Sequence, residues 1–189
     1  MSVNTLMEQL KSQTREEHEK VDQLVSHYDP FASQRNYNQF LQLQETFHRI
    51  VEEIYKNETL NDKLPQLKDL ARYRQVRQDM EDLGVEPIEQ EDLPRPVGEE
   101  ALGWLYCAEG SNLGAAFLLK GAATLGLNAN YGARHLAPHE EGRAKHWRAF
   151  AALFDTKIAP EVSTEKVILG AKKAFTFYRE LAKTRLGLT

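Results

Sequence analysis

Long apolar runs are missing from this 189-residue chain, in which 28% of the residues are charged. No window approaches the roughly 18 apolar residues that a membrane-spanning helix needs, so we expect no membrane segment. Residues 1–30 carry charges every few positions and lack the apolar core of a signal peptide. Cysteine is nearly absent too: Cys107 stands alone, which excludes an intramolecular disulfide and favours a reducing compartment. Together these absences predict a cytoplasmic protein.

A strong excess of charge of either sign is also missing. The 24 basic and 28 acidic side chains leave a net charge of −4, so the composition gives no reason to expect a nucleic-acid partner. Sustained strand-like alternation, internal repeats and low-complexity tracts are not found. What is present is helical spacing of apolar residues throughout. The sequence therefore predicts one all-α domain over residues 1–189, a bundle of six to eight helices.

Capping and breaking residues suggest where these helices begin and end. Thr5 or Asn4, Ser33, and Ser163 or Thr164 are expected as N-caps, and Gly84 as the residue that ends a helix. Residues 85–97, with three prolines, read as an ordered surface connection. The expected helices cover about 4–27, 33–56, 60–64, 66–83, 99–123, 138–154 with Pro138 at its start, and 164–186.

The helix expected over 99–123 is apolar enough to be buried, yet it carries Gly110 and Gly114 in its middle. Each interior glycine costs a helix about 1 kcal/mol relative to alanine. Placed one turn apart, the two glycines leave a strip of backbone bare on one face. Either another helix packs closely there, or a flat or bulky object lies against that face.

The first helix carries a histidine with a carboxylate one turn away. His18 lies on the same stripe as the apolar residues, so we expect it to point inward, and Lys11 lies about 10 Å away along the axis on the same face. Asp22, four residues on, can accept from the Nδ1–H of the imidazole and leave Nε2 free to bind a metal. The alternative is a core histidine with its hydrogen bonds satisfied.

Both features fit one ligand. A heme needs an axial nitrogen, a cation near its propionates, and room above the iron. His18, Lys11 and the glycine face of the central helix would supply these in turn.

The chain also resembles a known family, the bacterial, biliverdin-producing heme oxygenases. The resemblance extends over essentially the whole chain and implies a heme oxygenase-like fold, with heme sandwiched between a proximal and a distal helix. The motifs that carry it are TREEHEKVDQ (14–23), LYCAEGSNLGAAFL (105–118), GARHLAPHEEGRAKHWRAF (132–150) and AKKAF (171–175).

On the proximal side, the resemblance implies that His18 is the axial iron ligand and that Asp22 is its carboxylate partner. Lys11 and Tyr106 match positions that contact the propionates in similar proteins. Relatives that cleave heme at the β or δ carbon can lack this lysine and tyrosine, so the pair favours α cleavage.

On the distal side, Gly110 and Gly114 match the flexible glycines that lie against heme. Ser111 completes the predicted catalytic set, although animal members have aspartate just after the first distal glycine. This departure leaves the residues that organise protons above the iron open.

The implied reaction cleaves heme with O2 and electrons to biliverdin, CO and ferrous iron, so heme is both cofactor and substrate. No Gly-x-Gly-x-x-Gly follows a strand, so electrons must come from an external donor such as a ferredoxin or an NAD(P)H-dependent reductase. The implied purpose is iron acquisition. Basic residues that could form a docking surface, or simply a solvated helix face, are Arg143, Lys145, Arg148, Lys172 and Lys173.

Two alternatives keep the same fold. One is a heme-binding carrier or sensor without turnover. The other is a thiaminase-like hydrolase with Cys107 as nucleophile, although a small buried cysteine explains this position better.

Two further alternatives bind other metals. Glu45-x-x-His48 has the ligand spacing of a di-iron bundle, but no second copy accompanies it. His135, His139 and His146 suggest zinc, but we find no matched carboxylate set beside them in the sequence and read them as surface or packing residues.

Overall fold

A computed structural model describes residues 4–188 and has eight α-helices over that range. The prediction of an all-α fold is confirmed. Within residues 4–188 the β-structure is limited to isolated bridges from Asn128 to Tyr131 and Gly132. The α-helices are α1 (Leu6–Gln13), α2 (Arg15–Tyr28), α3 (Gln34–Tyr55), α4 (Glu58–Lys63), α5 (Tyr73–Leu83), α6 (Gly98–Ala123), α7 (Arg143–Leu153) and α8 (Thr164–Leu186). Short 3-10 segments span Leu67–Leu70, Arg134–Leu136 and Ala159–Glu161, and a π-helical turn spans Phe154–Ile158.

Side-chain caps fix several helix ends where the sequence predicts them. Thr5 accepts from the Glu8 backbone in a full capping box, and Ser33 and Ser163 cap α3 and α8. Gly84 ends α5 in the left-handed conformation. These boundaries are confirmed because one polar side chain, or one glycine, decides each of them locally.

The single helix expected over 4–27 is wrong, because the chain breaks at Thr14 into α1 and α2. The Thr14 hydroxyl donates to the Leu10 carbonyl at 2.7 Å, a back-bond that bends helices. The break leaves Lys11 on α1 and His18 on α2.

Two other helix starts are wrong. The segment from 66 is a 3-10 turn, and α5 begins only at Tyr73, after a buried Arg72. Pro138 does not open a helix: α7 begins at Arg143, because Gly142 has a φ of +90° and an α-helix cannot continue back through it.

The core of the bundle forms where α6 packs against α8. A Cβ on Gly103 of α6 would overlap the Val167 carbonyl, and one on Gly170 of α8 would overlap the Glu100 carbonyl. Close helix packing therefore occurs at these two glycines. It holds the N-terminal half of α6 rigidly and leaves the half with Gly110 and Gly114 to the site.

Candidate active site

A cleft of about 700 Å³ lies beside α1, α2 and the middle of α6. Three predicted heme contacts, Lys11, His18 and Tyr106, line it together. Its volume falls in the range of small-molecule and cofactor sites, roughly 300–1,000 Å³. The other residues that line it are Glu8, Ser12, Thr14, Arg15 and Glu19.

His18 faces this cleft and not the core, so the expectation that it points inward is wrong. About 62% of its side chain is exposed, and α2 has no buried residue. Its ring stacks on Phe175 of α8, with ring centroids 5.7 Å apart. A histidine on an amphipathic stripe can face a groove between helices as readily as the core, and spacing alone does not distinguish the two.

Asp22 is the partner of His18, but through the other ring nitrogen. Its carboxylate lies 3.4 Å from Nε2, where the sequence predicts a contact with Nδ1. Both groups are exposed, so the contact is weak and does not hold Nε2 against a stronger ligand.

Tyr106 and Lys11 supply hydrogen-bond donors to the cleft. Burial raises the pKa of Tyr106 to about 12, so its hydroxyl keeps its proton. The ring rests against Trp147, with centroids 5.8 Å apart. Lys11 is exposed and adds a positive charge on the α1 side.

The glycine face of α6 is open. A Cβ on Gly110 would meet only the Trp147 ring at 3.6 Å, and one on Gly114 would meet nothing within 4 Å. The alternative of close helix packing at these two glycines is therefore wrong. Leu113 and Phe117, expected inside a buried helix, are 40% and 80% exposed. An apolar face of this kind favours a bound apolar object.

Ser111 is exposed, and its hydroxyl donates to the Ala108 carbonyl of its own helix at 2.6 Å. The hydroxyl proton is therefore engaged within α6. A catalytic role for Ser111 stays a prediction.

Behind the glycine face lies a buried polar network that the sequence does not predict. Glu109, 1% exposed, accepts from the Tyr55 hydroxyl at 2.6 Å and lies 3.1 Å from His146 Nε2. His146 Nδ1 lies 2.8 Å from Glu141. The hydrogen bond to Glu109 raises the pKa of His146.

Arg72 extends the network toward His139. Its guanidinium donates to the carbonyls of His135 and Ala137 at 2.8 and 2.7 Å and lies 3.2 Å from His139 Nε2. Burial, then the charge of Arg72, lowers the pKa of His139 to about 4, so this imidazole is neutral at pH 7. Asn112 of α6 lies 3.4 Å from the same nitrogen.

His135 belongs to a neighbouring buried pair, with its Nδ1 2.8 Å from Asp79. The ring of His48 meets the His135 ring edge-on, and burial lowers the pKa of His48 to about 3. The interpretation of His135 and His146 as lacking matched carboxylates is thus wrong, because Asp79 and Glu109 stand beside them. These contacts span 37 to 56 positions, so no local sequence signal marks them.

Cys107 fits a packing role. Its thiol lies 3.6 Å from the Ala171 carbonyl, and burial raises its pKa well above the usual range. A thiol held protonated is a poor nucleophile, which disfavours the thiaminase-like hydrolase.

Glu45 and His48 do not form a di-iron site. Glu45 is fully buried against Arg49 and Tyr73, at 3.4 and 3.3 Å. Over residues 4–188, one group of histidine, cysteine and acidic side chains is close enough to share a metal, and it consists of Glu109, His139 and His146.

The predicted basic surface is partly wrong. Arg143 turns inward and donates to the carbonyls of Asn112 and Leu136 at 2.9 and 2.6 Å. Lys173 pairs with Glu100. Lys145 and Arg148 stay exposed on α7.

None of the described helices, within residues 4–188, combines the length and the apolar character needed to cross a membrane.

The donor set fits a heme. An exposed imidazole, a cation and a protonated tyrosine share one cleft, and the neighbouring face of α6 is apolar and bare at Gly114. An all-α bundle with this site defines a heme-binding protein.

Comparisons with known proteins give the family. The heme oxygenase family model matches residues 4–184. Heme oxygenase PigA of Pseudomonas aeruginosa is 40% identical over 182 residues, which cover 94% of this chain and 91% of the relative. The NO- and CO-bound heme oxygenase of Neisseria meningitidis has a similar structure, with a TM-score of 0.95 and 47% identity over 99% of this chain and 94% of that one. The chain belongs to the heme oxygenase family.

The chain is therefore an enzyme that cleaves heme oxidatively to biliverdin, CO and ferrous iron, and it needs an electron donor. Release of iron from heme fits a role in iron acquisition. A carrier or sensor without turnover, and the hydrolase, are not favoured.

Proposed function

We propose that the enzyme holds heme in this cleft, with His18 as the axial ligand and the Gly110–Gly114 face of α6 above the iron. The observation that carries the proposal is that Lys11, His18 and Tyr106 all line one cleft, although Tyr106 lies 88 positions beyond His18 in the chain. Spacing along the sequence does not require these three to meet.

When bound, heme supplies the iron that activates O2 and the ring that is oxidised. The chain's part is to orient and protect. The bare backbone at Gly114 lets α6 approach the ring closely, and the apolar side chains of Leu113 and Phe117 exclude water from it. Tyr106 is the residue of α6 that lines the cleft, so α6 contributes no acidic side chain there and its hydrogen-bond donor is the Tyr106 hydroxyl.

Lys11 and Tyr106 set the rotation of the ring in this proposal. A lysine ammonium and a tyrosine hydroxyl both donate to carboxylates, so together they hold the propionates at the α1 side of the cleft. Holding the propionates there would determine which meso carbon faces the distal helix. We propose cleavage at the α carbon.

The electron donor in this proposal is a separate protein, a ferredoxin or an NAD(P)H-dependent reductase, and the enzyme acts in the cytoplasm. The exposed cations on α7, Lys145 and Arg148, and the exposed Lys11 at the cleft favour an acidic donor surface.

An absorption experiment tests the proposal. One equivalent of hemin is added to the purified protein, then ascorbate in air with catalase present. We expect a histidine-type Soret band that disappears while broad red absorption of biliverdin grows, and chromatography should identify the α isomer. A Soret band that survives the reductant would contradict turnover, and a β or δ product would overturn the roles given to Lys11 and Tyr106.

A further inference from the structure

A group of three side chains on the side of α6 away from its glycine face, two buried and one half-buried, has the composition of a metal site. One ligand atom each from Glu109, His139 and His146 lies within 4.8 Å of the others. The three residues come from α6, the loop before α7, and α7. We propose that they form a second metal site, separate from His18, for a divalent transition-metal ion.

The outer hydrogen bonds of this group leave inner atoms turned toward one another. His146 places Nδ1 on Glu141 at 2.8 Å, which leaves Nε2 facing Glu109. Glu109 gives one oxygen to Tyr55 and keeps the other for the site. A carboxylate behind a histidine, with the second ring nitrogen on the metal, is the usual arrangement of outer partners around metal-binding histidines.

His139 offers a lone pair at the same place. Its Nε2 lies 3.2 Å from a guanidinium nitrogen of Arg72, and guanidinium only donates, so Nε2 is the unprotonated nitrogen. Arg72 does not depend on this contact, because it also donates to the carbonyls of His135 and Ala137. The His139 ring stacks on the His146 ring, with centroids 3.5 Å apart and an angle of 18° between the ring planes, so their nitrogens lie close together. Binding one ion would require the two rings to turn until their in-plane lone pairs converge.

Two imidazoles and one carboxylate are a ligand set that suits ferrous iron and zinc. Glu109 precedes Gly110 on α6, so the site adjoins the distal face. Resting on the proposed function, the natural ion is the ferrous iron that heme cleavage releases close by. The site would then bind the released iron on the face of α6 that carries Glu109, away from the heme cleft.

Calorimetric titration of the heme-free protein with zinc chloride tests the site directly, since zinc resists oxidation and needs no turnover. We expect one equivalent to bind to the wild type. Glu141→Gln, an exposed position, should weaken zinc affinity by about 10- to 100-fold through loss of the outer carboxylate, and His139→Gln should weaken it further. His27→Gln and His18→Ala serve as controls and should bind zinc as the wild type does.

Cobalt(II) absorption on the same proteins reports the ligands, and an anaerobic titration with ferrous iron checks the natural ion. Tetrahedral-type cobalt bands lost in Glu109→Gln, with its thermal unfolding retained, would support the site. Zinc binding with wild-type affinity in His139→Gln, or loss of zinc binding in His18→Ala, would overturn it. Heme titration of each variant is independent, so failure of the metal site leaves the proposed heme site untouched.

Discussion

The two sides of the cleft are built very differently. The proximal helix α2 has no buried residue, and its His18 is held by an exposed contact with Asp22 and by stacking on Phe175. The distal helix α6 is buried at every turn from Ala101 to Ala115. One side is a surface helix and the other is part of the core.

The difference shows which side of the cleft is stabilised by the protein alone. On the distal side, helix packing at Gly103 and the Glu109 hydrogen bonds fix α6 before any ligand arrives. On the proximal side, α2 packs only through partly buried residues and its exposed ion pairs contribute little, so we expect bound heme to add order at His18. We expect the distal side to be preorganised and the proximal side to be completed by heme.

His18→Ala removes the bond that would complete the proximal side, and it should have the largest effect. We expect heme cleavage to fall by about 100-fold or more, since loss of a metal ligand exceeds the effect of losing an outer partner. Absorption titration with hemin should show loss of the histidine-type Soret band. His27→Gln, exposed on the same helix, is the matched control and should leave both unchanged. Retained turnover in His18→Ala would reject His18 as the ligand.

Gly170→Val disrupts the close packing of α8 against the distal helix α6. The new side chain would overlap the Glu100 backbone, which cannot move aside cheaply, so we expect a loss of about 3 kcal/mol of unfolding free energy. Urea unfolding measures it. Leu169→Val, at a neighbouring exposed residue, should change stability by about 0.5 kcal/mol or less. Equal effects at both positions would contradict close packing between α6 and α8.

The buried His48 makes the stability of the core depend on pH. Its folded pKa of about 3 lies below the usual 6.5, so its contribution to stability is present above pH 6.5 and is lost as the pH falls toward 3. Between pH 7 and pH 5 the wild type should lose about 2 kcal/mol that His48→Gln does not lose. Urea unfolding at both pH values checks this. His27→Gln should show the wild-type pH dependence, and an unchanged pH dependence in His48→Gln would contradict the assignment.

Gly114→Ala separates stability from function on the distal helix. Alanine meets nothing within 4 Å and favours the helix, so the heme-free protein should gain about 1 kcal/mol. The same methyl would stand on the face proposed for heme, so turnover should fall. Thermal unfolding and the ascorbate assay measure the two effects. Unimpaired turnover would place heme elsewhere.

Asp22→Asn should have the smallest effect. The Asp22 carboxylate lies beside the His18 imidazole, so its loss removes a negative charge near the proposed ligand; this should raise the midpoint potential of bound heme and change turnover by about 10-fold at most. Spectroelectrochemistry of the heme complex measures the shift. Glu16→Gln, exposed on the same helix and outside the residues that line the cleft, is the control, and equal shifts would show that the charge of the helix alone matters.

The sequence predicts those features of the fold that depend on residues close together in the chain. Helix caps at Thr5 and Ser33 are readable because one side chain and one nearby amide make each. The exposure of His18 is not readable, since an apolar stripe marks a face without saying whether the core or a cleft covers it.

The polar network behind α6 could not be predicted, because its residues are far apart in the sequence. Tyr55, Glu109 and His146 meet only because three helices pack together, and the contacts span 54 and 37 positions. Glu109, the one charged residue between Ala101 and Leu119 of α6, was the available signal, because a buried carboxylate needs partners.

The exposed proximal helix also bears on how the catalytic cycle ends. Under the proposed function, a bond between His18 and the heme iron would add to the hold on α2, which packs on the core only through partly buried residues such as Leu24, Val25 and Tyr28. Heme cleavage would remove that bond, so the reaction itself would loosen α2 over the cleft and favour product release.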